Sequence, residues 1–179
     1  LVGQDADSKL ILYTAADIQR SEADDEILEF LTFWKKAQRG VVPMLIFDSK
    51  FTTYTNMSQL NSFGVKFITL RRRGKKLIDS LNEVGPWKTI HIPHAKRKYQ
   101  NPQVYESMIE LTGYAGKLRQ VAMRGNGHSK PAFLITNDMD SPVERIVSDY
   151  ARRWRVENVI SEAVKFFNLN ALSSPILTK

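Results

Sequence analysis

The stretch MLIFDSKFTTYTNMSQLNSFGVKFITL, residues 44–70, decides the fold, because two short apolar runs lie on either side of a helix-forming segment. The run at 44–47 is continuously apolar, which is typical of a central strand covered on both faces. The segment from about Tyr54 to Phe63 predicts a helix that ends at Gly64. VKFITL then predicts another strand. The order strand, helix, strand indicates an α/β sheet with parallel neighbouring strands.

The segments around this unit continue the alternation of strands and helices. Residues 1–5 and 9–18 predict a hairpin that turns at the polar sequence DADS. Residues 21–40 predict an amphipathic helix with Ser21 as its N-cap and Gly40 as its stop. Further along the chain, four runs separated by Gly, Asn and Pro are interpreted as strands: WKTIHI, QVYESMIEL, GKLRQVAM and KPAFLITND.

The sequence SPVERIVSDYARRWRVENVISEAVKFF predicts a long final helix, with Ser141 as N-cap and Pro142 at the first helical position. On a helical wheel, Glu157 falls in the apolar sector of this helix. A carboxylate without a partner on a buried face costs several kcal/mol. An ion pair with Arg153, one turn earlier, would remove that cost, and so would a divalent cation shared with a second carboxylate. The spacing alone leaves both possibilities open.

Asp48 is the candidate for the second carboxylate. It lies at the carboxyl end of the first apolar run, the end of an open α/β sheet where ligands bind. Taken alone, it is equally a capping residue at a strand exit. Asp48 and Glu157 together would offer hard oxygen ligands for Mg²⁺ or Mn²⁺. Two such ions activate an attacking oxygen and stabilise a leaving oxygen in phosphoryl transfer, so the pair points to chemistry on phosphate esters.

The composition favours a polyanionic partner and excludes several other classes. The formal net charge is +7, and clustered Lys and Arg displace counterions from phosphates. The absence of cysteine excludes disulfides, thiolate metal sites and cysteine nucleophiles. The chain has no apolar run near the roughly 18 residues that span a bilayer and no signal-peptide pattern. We therefore expect an intracellular protein without a membrane partner.

Two stretches resemble one protein family. YARRWRVEN resembles the Y-x-x-R-x-x-x-E signature helix of bacterial and archaeal insertion-sequence DDE transposases, with Tyr150, Arg153 and Glu157 at the motif positions. Residues 45–73 resemble the part of that family in which a strand ends in the second catalytic aspartate, here Asp48. The resemblance covers nearly the whole chain. It implies an α/β fold of the RNase H-like type, a mixed sheet flanked by helices, with a β-rich insertion before the last helix.

The resemblance also implies a chemistry. Proteins of this family use two aspartates and one glutamate to hold two Mg²⁺ or Mn²⁺ ions. The implied reaction is hydrolytic cleavage at transposon ends, followed by attack of the freed 3′-hydroxyl on another phosphodiester. Asp48 would be the second aspartate and Glu157 the glutamate. The first aspartate of the family lies on a strand before the hairpin that opens this chain, so we expect residues 1–179 alone to be inactive.

The signature helix is expected to contact DNA on two sides. The resemblance implies that Tyr150 and Arg153 orient the helix and touch transposon-end DNA. Arg152 and Arg155 point away from Glu157 on the helical wheel. We therefore expect them to reach the DNA backbone.

Two further basic elements are expected to bind DNA. The family's signature places a lysine seven residues after its glutamate; that position is Val164 here, and Lys165 is the nearest substitute. Arg71, Arg72 and Arg73 directly follow a predicted strand near the proposed site, which favours phosphate contacts over a merely solvated loop.

The predicted organisation has four parts: the first part of the core at 1–73, the β-rich insertion at 74–138, the signature helix completing the core at 139–168, and a tail at 169–179. The implied partner is double-stranded DNA, both transposon ends and target, bound by a homodimer in the prokaryotic cytoplasm at the nucleoid. Two alternatives stay open. One is a non-catalytic DNA-binding relic of a transposase that has lost its first catalytic aspartate. The other is an unrelated α/β protein in which Arg153 and Glu157 form a simple ion pair.

Overall fold

The computed structural model describes residues 1–16, 18–19, 23–38, 42, 44–48, 50, 52–93, 99–127, 129–153, 161–162 and 164–166. Glu157, Arg155 and the predicted helix boundaries Ser21 and Gly40 lie outside these residues, as does the tail at 169–179. No helix in the described part of the chain is long and apolar enough to cross a bilayer.

The described residues form the predicted strands and helices in the predicted order, with an additional short helix at residues 75–79. In chain order they are β1 (Val2–Gln4), β2 (Ile11–Thr14), α1 (Glu26–Gln38), β3 (Met44–Phe47), α2 (Tyr54–Ser62), β4 (Lys66–Leu70), α3 (Lys75–Asp79), a 3₁₀ turn (Ser80–Asn82), β5 (Lys88–Thr89), β6 (Gln103–Ile109), β7 (Leu118–Arg124), β8 (Ala132–Thr136) and α4 (Val143–Arg152).

The strands belong to two sheets. β1 and β2 pair antiparallel in a hairpin, and the other six strands are ordered β3-β4-β8-β7-β6-β5. β3 and β4 are parallel, with Phe47 opposite Thr69, and β4 pairs antiparallel with β8. The strands between 88 and 136 therefore extend the sheet that begins with β3 and β4. The predicted α/β fold, a mixed sheet flanked by helices, is confirmed and is consistent with an RNase H-like architecture.

Helix α2 shows how the sequence sets local structure between the two parallel strands. Thr53 is its N-cap, and the Thr53 Oγ1 atom accepts a hydrogen bond from the Asn56 N–H (3.1 Å). After the helix, Gly64 has a φ of +71°, a left-handed conformation that glycine adopts without strain. The Val65 N–H then donates to the Leu60 carbonyl (3.0 Å) and leads the chain into β4. The predicted helix is thus confirmed to within one residue.

Each face of the six-stranded sheet has its own apolar core, because side chains alternate along the strands. We call these the α2 face and the α4 face after the helices that cover them. Buried residues on the α2 face include Ile27, Leu31, Phe47, Leu60, Phe67 and Ile135. Those on the α4 face include Ile68, Val121, Leu134, Ile146, Val147 and Tyr150.

Helix α4 begins one residue later than the sequence predicts. Its N-cap is Pro142, not Ser141, and no side chain caps it. The Ser141 N–H instead donates to the Asp138 Oδ1 atom (3.3 Å), which also accepts the Asp140 N–H (3.2 Å). The Asp138 carboxylate thus makes the turn after β8, and the chain enters α4 through the extended backbone of Pro142.

Candidate active site at the carboxyl end of β3

Asp48 directly follows β3, at the edge of the sheet where the parallel strands β3 and β4 both end. Its side chain is half-buried, and its Oδ1 atom accepts a hydrogen bond from the Lys50 N–H (3.1 Å). Among the described residues, Asp48 forms no ion pair. Within the described part of the chain, this carboxylate thus has a single hydrogen bond and no cation as its partner.

The strand register places Asp48 on the α4 face. Met44 and Ile46 of β3 pack against the apolar core that α4 covers. Side chains alternate along a strand, so the next residue on that side is Asp48. The carboxylate and α4 therefore lie on the same side of the sheet.

Thr69 fixes the end of β3 from the neighbouring strand. Its side chain is fully buried, and its Oγ1 atom donates to the Phe47 carbonyl (2.8 Å). This bond holds the peptide group immediately before Asp48. The position of the carboxylate is therefore set by the sheet and by a buried side-chain hydrogen bond.

Three contacts anchor the start of α4. The Lys66 Nζ atom, at the amino end of β4, lies 2.8 Å from Asp138 Oδ1. Arg119 of β7, which also pairs with Glu106, donates from Nη1 to the Ser141 carbonyl (2.6 Å). Lys88 of β5 lies 2.7 Å from Glu144 in the first turn of the helix. The helix thus starts in a fixed place beside the amino end of β4.

The anchoring carboxylates have lowered pKa values. Burial by itself would raise the pKa of Asp138, but hydrogen bonds from Lys66, Ser141 and Asp140 outweigh it and lower the pKa to about 2. The pKa of Glu144 is lowered mainly by its hydrogen bond with Lys88. Both groups are thus stabilised in the charged form.

The end of α4 contacts the hairpin. The Arg152 Nη2 atom donates to Asp7 Oδ1 (2.8 Å) and to the Ala6 carbonyl (3.2 Å) in the β1–β2 turn. Helix α4 therefore runs from the amino end of β4 to this turn. The guanidinium expected to reach the DNA backbone is held by groups of the protein, and its contact with DNA stays a prediction.

The tyrosine and the arginine of the signature motif, Tyr150 and Arg153, contact each other. Tyr150 is buried in the core of the α4 face, and the Arg153 guanidinium lies 5.5 Å from the centre of its ring. Lys165 is exposed. Glu157 and Arg155 are outside the described residues, so their predicted roles are not tested.

The three consecutive arginines after β4 have different surroundings. Arg71 is half-buried and donates from Nη1 to Gln120 Oε1 (2.6 Å). Arg73 is exposed and donates to the Pro131 carbonyl (2.8 Å). Arg72 is exposed and lines a pocket of about 220 Å³ together with Asp24, Thr52, Thr53, Tyr54, Met57 and Leu70. In the described part of the chain, none of the three forms an ion pair.

The described residues contain no cluster of three or more His, Cys, Asp or Glu side chains that could hold a metal ion. Of the predicted pair of ligands, Asp48 alone lies in the described part of the chain. Its half-buried carboxylate suits a hard divalent cation.

Sequence reasoning missed the residues that position the site. Asp138 had a signal, because an aspartate three residues before Ser141 commonly forms a turn at a helix start. Thr69 and Arg119 had none, because their partners lie on other strands. Their roles follow from the register of the sheet.

The chain was compared with known protein families and proteins. The sequence model of the family described as Transposase DDE domain matches residues 4–176. This match extends from β1 past α4 and includes both Asp48 and Glu157. No curated protein matches the chain.

Proposed function

The chain belongs to the Transposase DDE domain family, and we propose that it is the catalytic core of an insertion-sequence transposase that cuts DNA at transposon ends and joins the freed 3′-hydroxyl to a target. Asp48 and Glu157 are the proposed ligands for two Mg²⁺ or Mn²⁺ ions. Family membership excludes an unrelated α/β protein. The proposed assembly is a homodimer on paired transposon ends.

The environment of Asp48 is the observation that carries this proposal. A half-buried carboxylate beside an apolar core is costly unless a cation or hydrogen bonds compensate it. Asp48 has one hydrogen bond, from the Lys50 N–H, and no ion pair within the described residues. A divalent cation bound there would provide the missing compensation.

The course of α4 supports a shared site with Glu157. The helix lies on the same face as Asp48, and Tyr150 in its last turn packs into the core that Met44 and Ile46 also contact. Glu157 comes seven residues after Tyr150. In a helix that continues past Arg152, that spacing puts Glu157 on the same side as Tyr150.

The chemistry divides between the ions and the protein. When bound, two divalent ions activate the attacking oxygen and stabilise the leaving oxygen of the phosphodiester. Asp48 and Glu157 hold the ions, while Tyr150 and Arg153 orient the helix and the end of the transposon. The other proposed DNA contacts are Arg71, Arg72, Arg73, Arg152, Arg155 and Lys165.

A cleavage assay tests the proposal. The protein as its gene encodes it is incubated with duplex DNA carrying the ends of its element, with and without Mg²⁺. We expect Asp48→Asn and Glu157→Gln each to reduce cleavage about 10³-fold, because each removes part of the charge stabilisation that the ions provide. Duplex binding should stay within a few-fold of the unsubstituted protein.

Asp140→Asn is the matched control. Asp140 has an 87% exposed side chain and pairs with Lys66 at the other end of the sheet, so the same substitution there should leave cleavage intact. Persistent cleavage in Asp48→Asn or Glu157→Gln would contradict the assignment of these carboxylates. A protein that binds the ends but never cuts them would instead be the non-catalytic relic.

A further inference from the structure

One arginine and two aromatic side chains contact one another on the α2 face, near the outer strand β5. The Arg124 guanidinium lies 4.2 Å from the centre of the Trp87 ring, and the Trp87 and Tyr105 rings are 6.2 Å apart. The Arg124 Nε atom also donates to Gln103 Oε1 (2.8 Å). Arg124 is exposed but its guanidinium is held in place by an aromatic ring and an amide.

The register of the sheet joins this group to the arginines after β4. The Arg71 N–H donates to the Phe133 carbonyl (2.8 Å), Phe133 lies opposite Ala122, and Ala122 lies opposite Tyr105. Arg71 and Tyr105 are thus in one row across the sheet.

Arg73 follows Arg71 by two residues and reaches the start of the same neighbouring strand through its side chain. Its Nη1 atom donates to the Pro131 carbonyl (2.8 Å), and Pro131 precedes Ala132, which is opposite Met123. This contact brings the Arg73 guanidinium to the segment before β8, the strand next to β7, which ends at Arg124. We call Arg71, Arg73, Trp87, Tyr105 and Arg124 the distal patch.

The positive charges of the distal patch are not neutralised by carboxylates of the described residues. Arg71 and Arg124 donate to the neutral side chains Gln120 and Gln103, and Arg73 donates to main-chain carbonyls. In the described residues no carboxylate pairs with any of the three. A polyanion can therefore bind these guanidinium groups without displacing an acidic side chain of the described residues.

The α4 face shows the opposite arrangement. Among the described residues, four cations on this side of the sheet are paired with carboxylates: Lys66 with Asp138, Lys88 with Glu144, Arg119 with Glu106 and Arg152 with Asp7. The three arginines of the distal patch have no such partner among the described residues, so charge complementarity favours a polyanion at this patch.

We propose that the distal patch binds the phosphodiester backbone of double-stranded DNA, as a second contact surface on the side of the sheet away from α4. The inference rests on the proposed function, since it assumes a DNA substrate. Arginine suits this task because its planar fork of donors matches phosphate oxygens. Trp87 supports the guanidinium, so the patch contacts phosphates and does not read bases.

Salt-dependent binding of Arg124→Gln to a duplex of arbitrary sequence tests the proposal. Each phosphate contact contributes about 0.9 to the slope of log affinity against log salt concentration. We expect Arg124→Gln to lower the magnitude of the slope by about 0.9, so that the affinity of the variant rises about eightfold less than that of the unsubstituted protein for each tenfold dilution of salt. Arg124→Lys keeps a charge and should keep most of the slope.

Arg145→Gln is the matched control, because Arg145 is 70% exposed but pairs with Asp149 on α4. It removes the same formal charge from the chain. Equal slopes for Arg124→Gln and Arg145→Gln would overturn the proposal, since net charge alone would then explain binding. So would a loss seen with single-stranded DNA but not with the duplex.

The two proposals fail separately. The metal-dependent cleavage assay on Asp48→Asn decides the proposed function and does not involve Arg124. If cleavage depends on Asp48 but the slope does not depend on Arg124, DNA binding by the distal patch is ruled out and the proposed function is supported. If the slope depends on Arg124 but no cleavage occurs, the distal patch binds DNA and the protein is not catalytic.

Discussion

Two carboxylates at opposite ends of the parallel pair β3–β4 have opposite surroundings. Asp138, beside the amino end of β4, is 1% exposed and accepts hydrogen bonds from Lys66 and from two backbone N–H groups. Asp48, at the carboxyl end of β3, is half-buried, with one hydrogen bond and no ion pair among the described residues. The first carboxylate is thus paired within the protein, whereas the second is the one proposed above to bind a divalent cation. The comparison separates a group that stabilises the fold from one that is available for chemistry.

The largest effect is expected from removing the stabilising carboxylate. Asp138→Ala leaves two backbone N–H groups without their acceptor and leaves the Lys66 ammonium with the exposed Asp140 as its remaining partner, so we expect a loss of about 3 kcal/mol in the free energy of unfolding. Asp48→Ala should change it by less than about 0.5 kcal/mol. Urea denaturation of the two variants measures both values. Equal losses would show that the two carboxylates do not differ in the way proposed.

Low pH should destabilise the fold through Asp138, the stabilising carboxylate. The pKa of Asp138 in the folded protein is about 2, against an ordinary value of 3.8. A lowered pKa stabilises the fold above the ordinary value and loses that contribution as pH falls, here between about pH 4 and pH 2. We expect about 2 kcal/mol of the unfolding free energy to disappear in that window.

Denaturation at a series of pH values measures this loss, with Asp138→Asn as the control. The amide has no proton to gain, so the part of the pH dependence that comes from Asp138 should vanish in that variant. If the unfolding free energy falls equally with pH in the unsubstituted protein and in Asp138→Asn between pH 4 and 2, the acid sensitivity comes from other groups.

The sequence predicted the periodic parts of this molecule better than the parts that depend on contacts between distant residues. The parallel pair around α2 was predicted closely because apolar runs, a capping threonine and Gly64 are all local signals. Helix α3, Lys75–Asp79, was not predicted, because five residues are too short a segment to show a helical period. The shift of the α4 start by one residue depends on Asp138, whose partner Lys66 is 72 residues away.

The candidate site divides in the same way. Asp48 was predicted as a site residue from its place at a strand end, which is a local signal. That Asp48 lies on the same side of the sheet as α4 and that Arg124 lies over Trp87 depend on strand register, and the contact of Arg152 with the hairpin turn depends on how α4 packs against β1 and β2. A single sequence carries no direct signal of register between strands that are far apart in the chain.

Metal binding should also distinguish the two carboxylates, by a change in stability smaller than the two above. At a Mg²⁺ or Mn²⁺ concentration tenfold above the dissociation constant, a site that exists in the folded protein alone adds about 1.4 kcal/mol to its stability. We expect this gain, seen as a rise in the melting temperature, in the protein as its gene encodes it and in Asp138→Asn, but not in Asp48→Asn. A full gain in Asp48→Asn would place the bound ion away from β3.

A loss of stability smaller than that of Asp138→Ala is expected at Thr69, the residue that holds the end of β3. Thr69→Val keeps the shape of the side chain but removes its hydrogen bond to the Phe47 carbonyl, which should cost about 1 kcal/mol. Because that bond positions the peptide group before Asp48, we expect cleavage to fall about tenfold.

Thr136→Val is the matched control for Thr69→Val. Thr136 is also a buried strand threonine, and its hydroxyl bonds the Phe67 carbonyl and the Asp138 N–H, near the stabilising carboxylate. Its loss should lower stability at least as much while the contacts of Asp138 with Lys66 keep α4 in place. Cleavage should therefore fall less in Thr136→Val than in Thr69→Val. If both variants lose cleavage in proportion to stability, Thr69 has no positioning role, and the two ends of the parallel pair are alike in what they contribute.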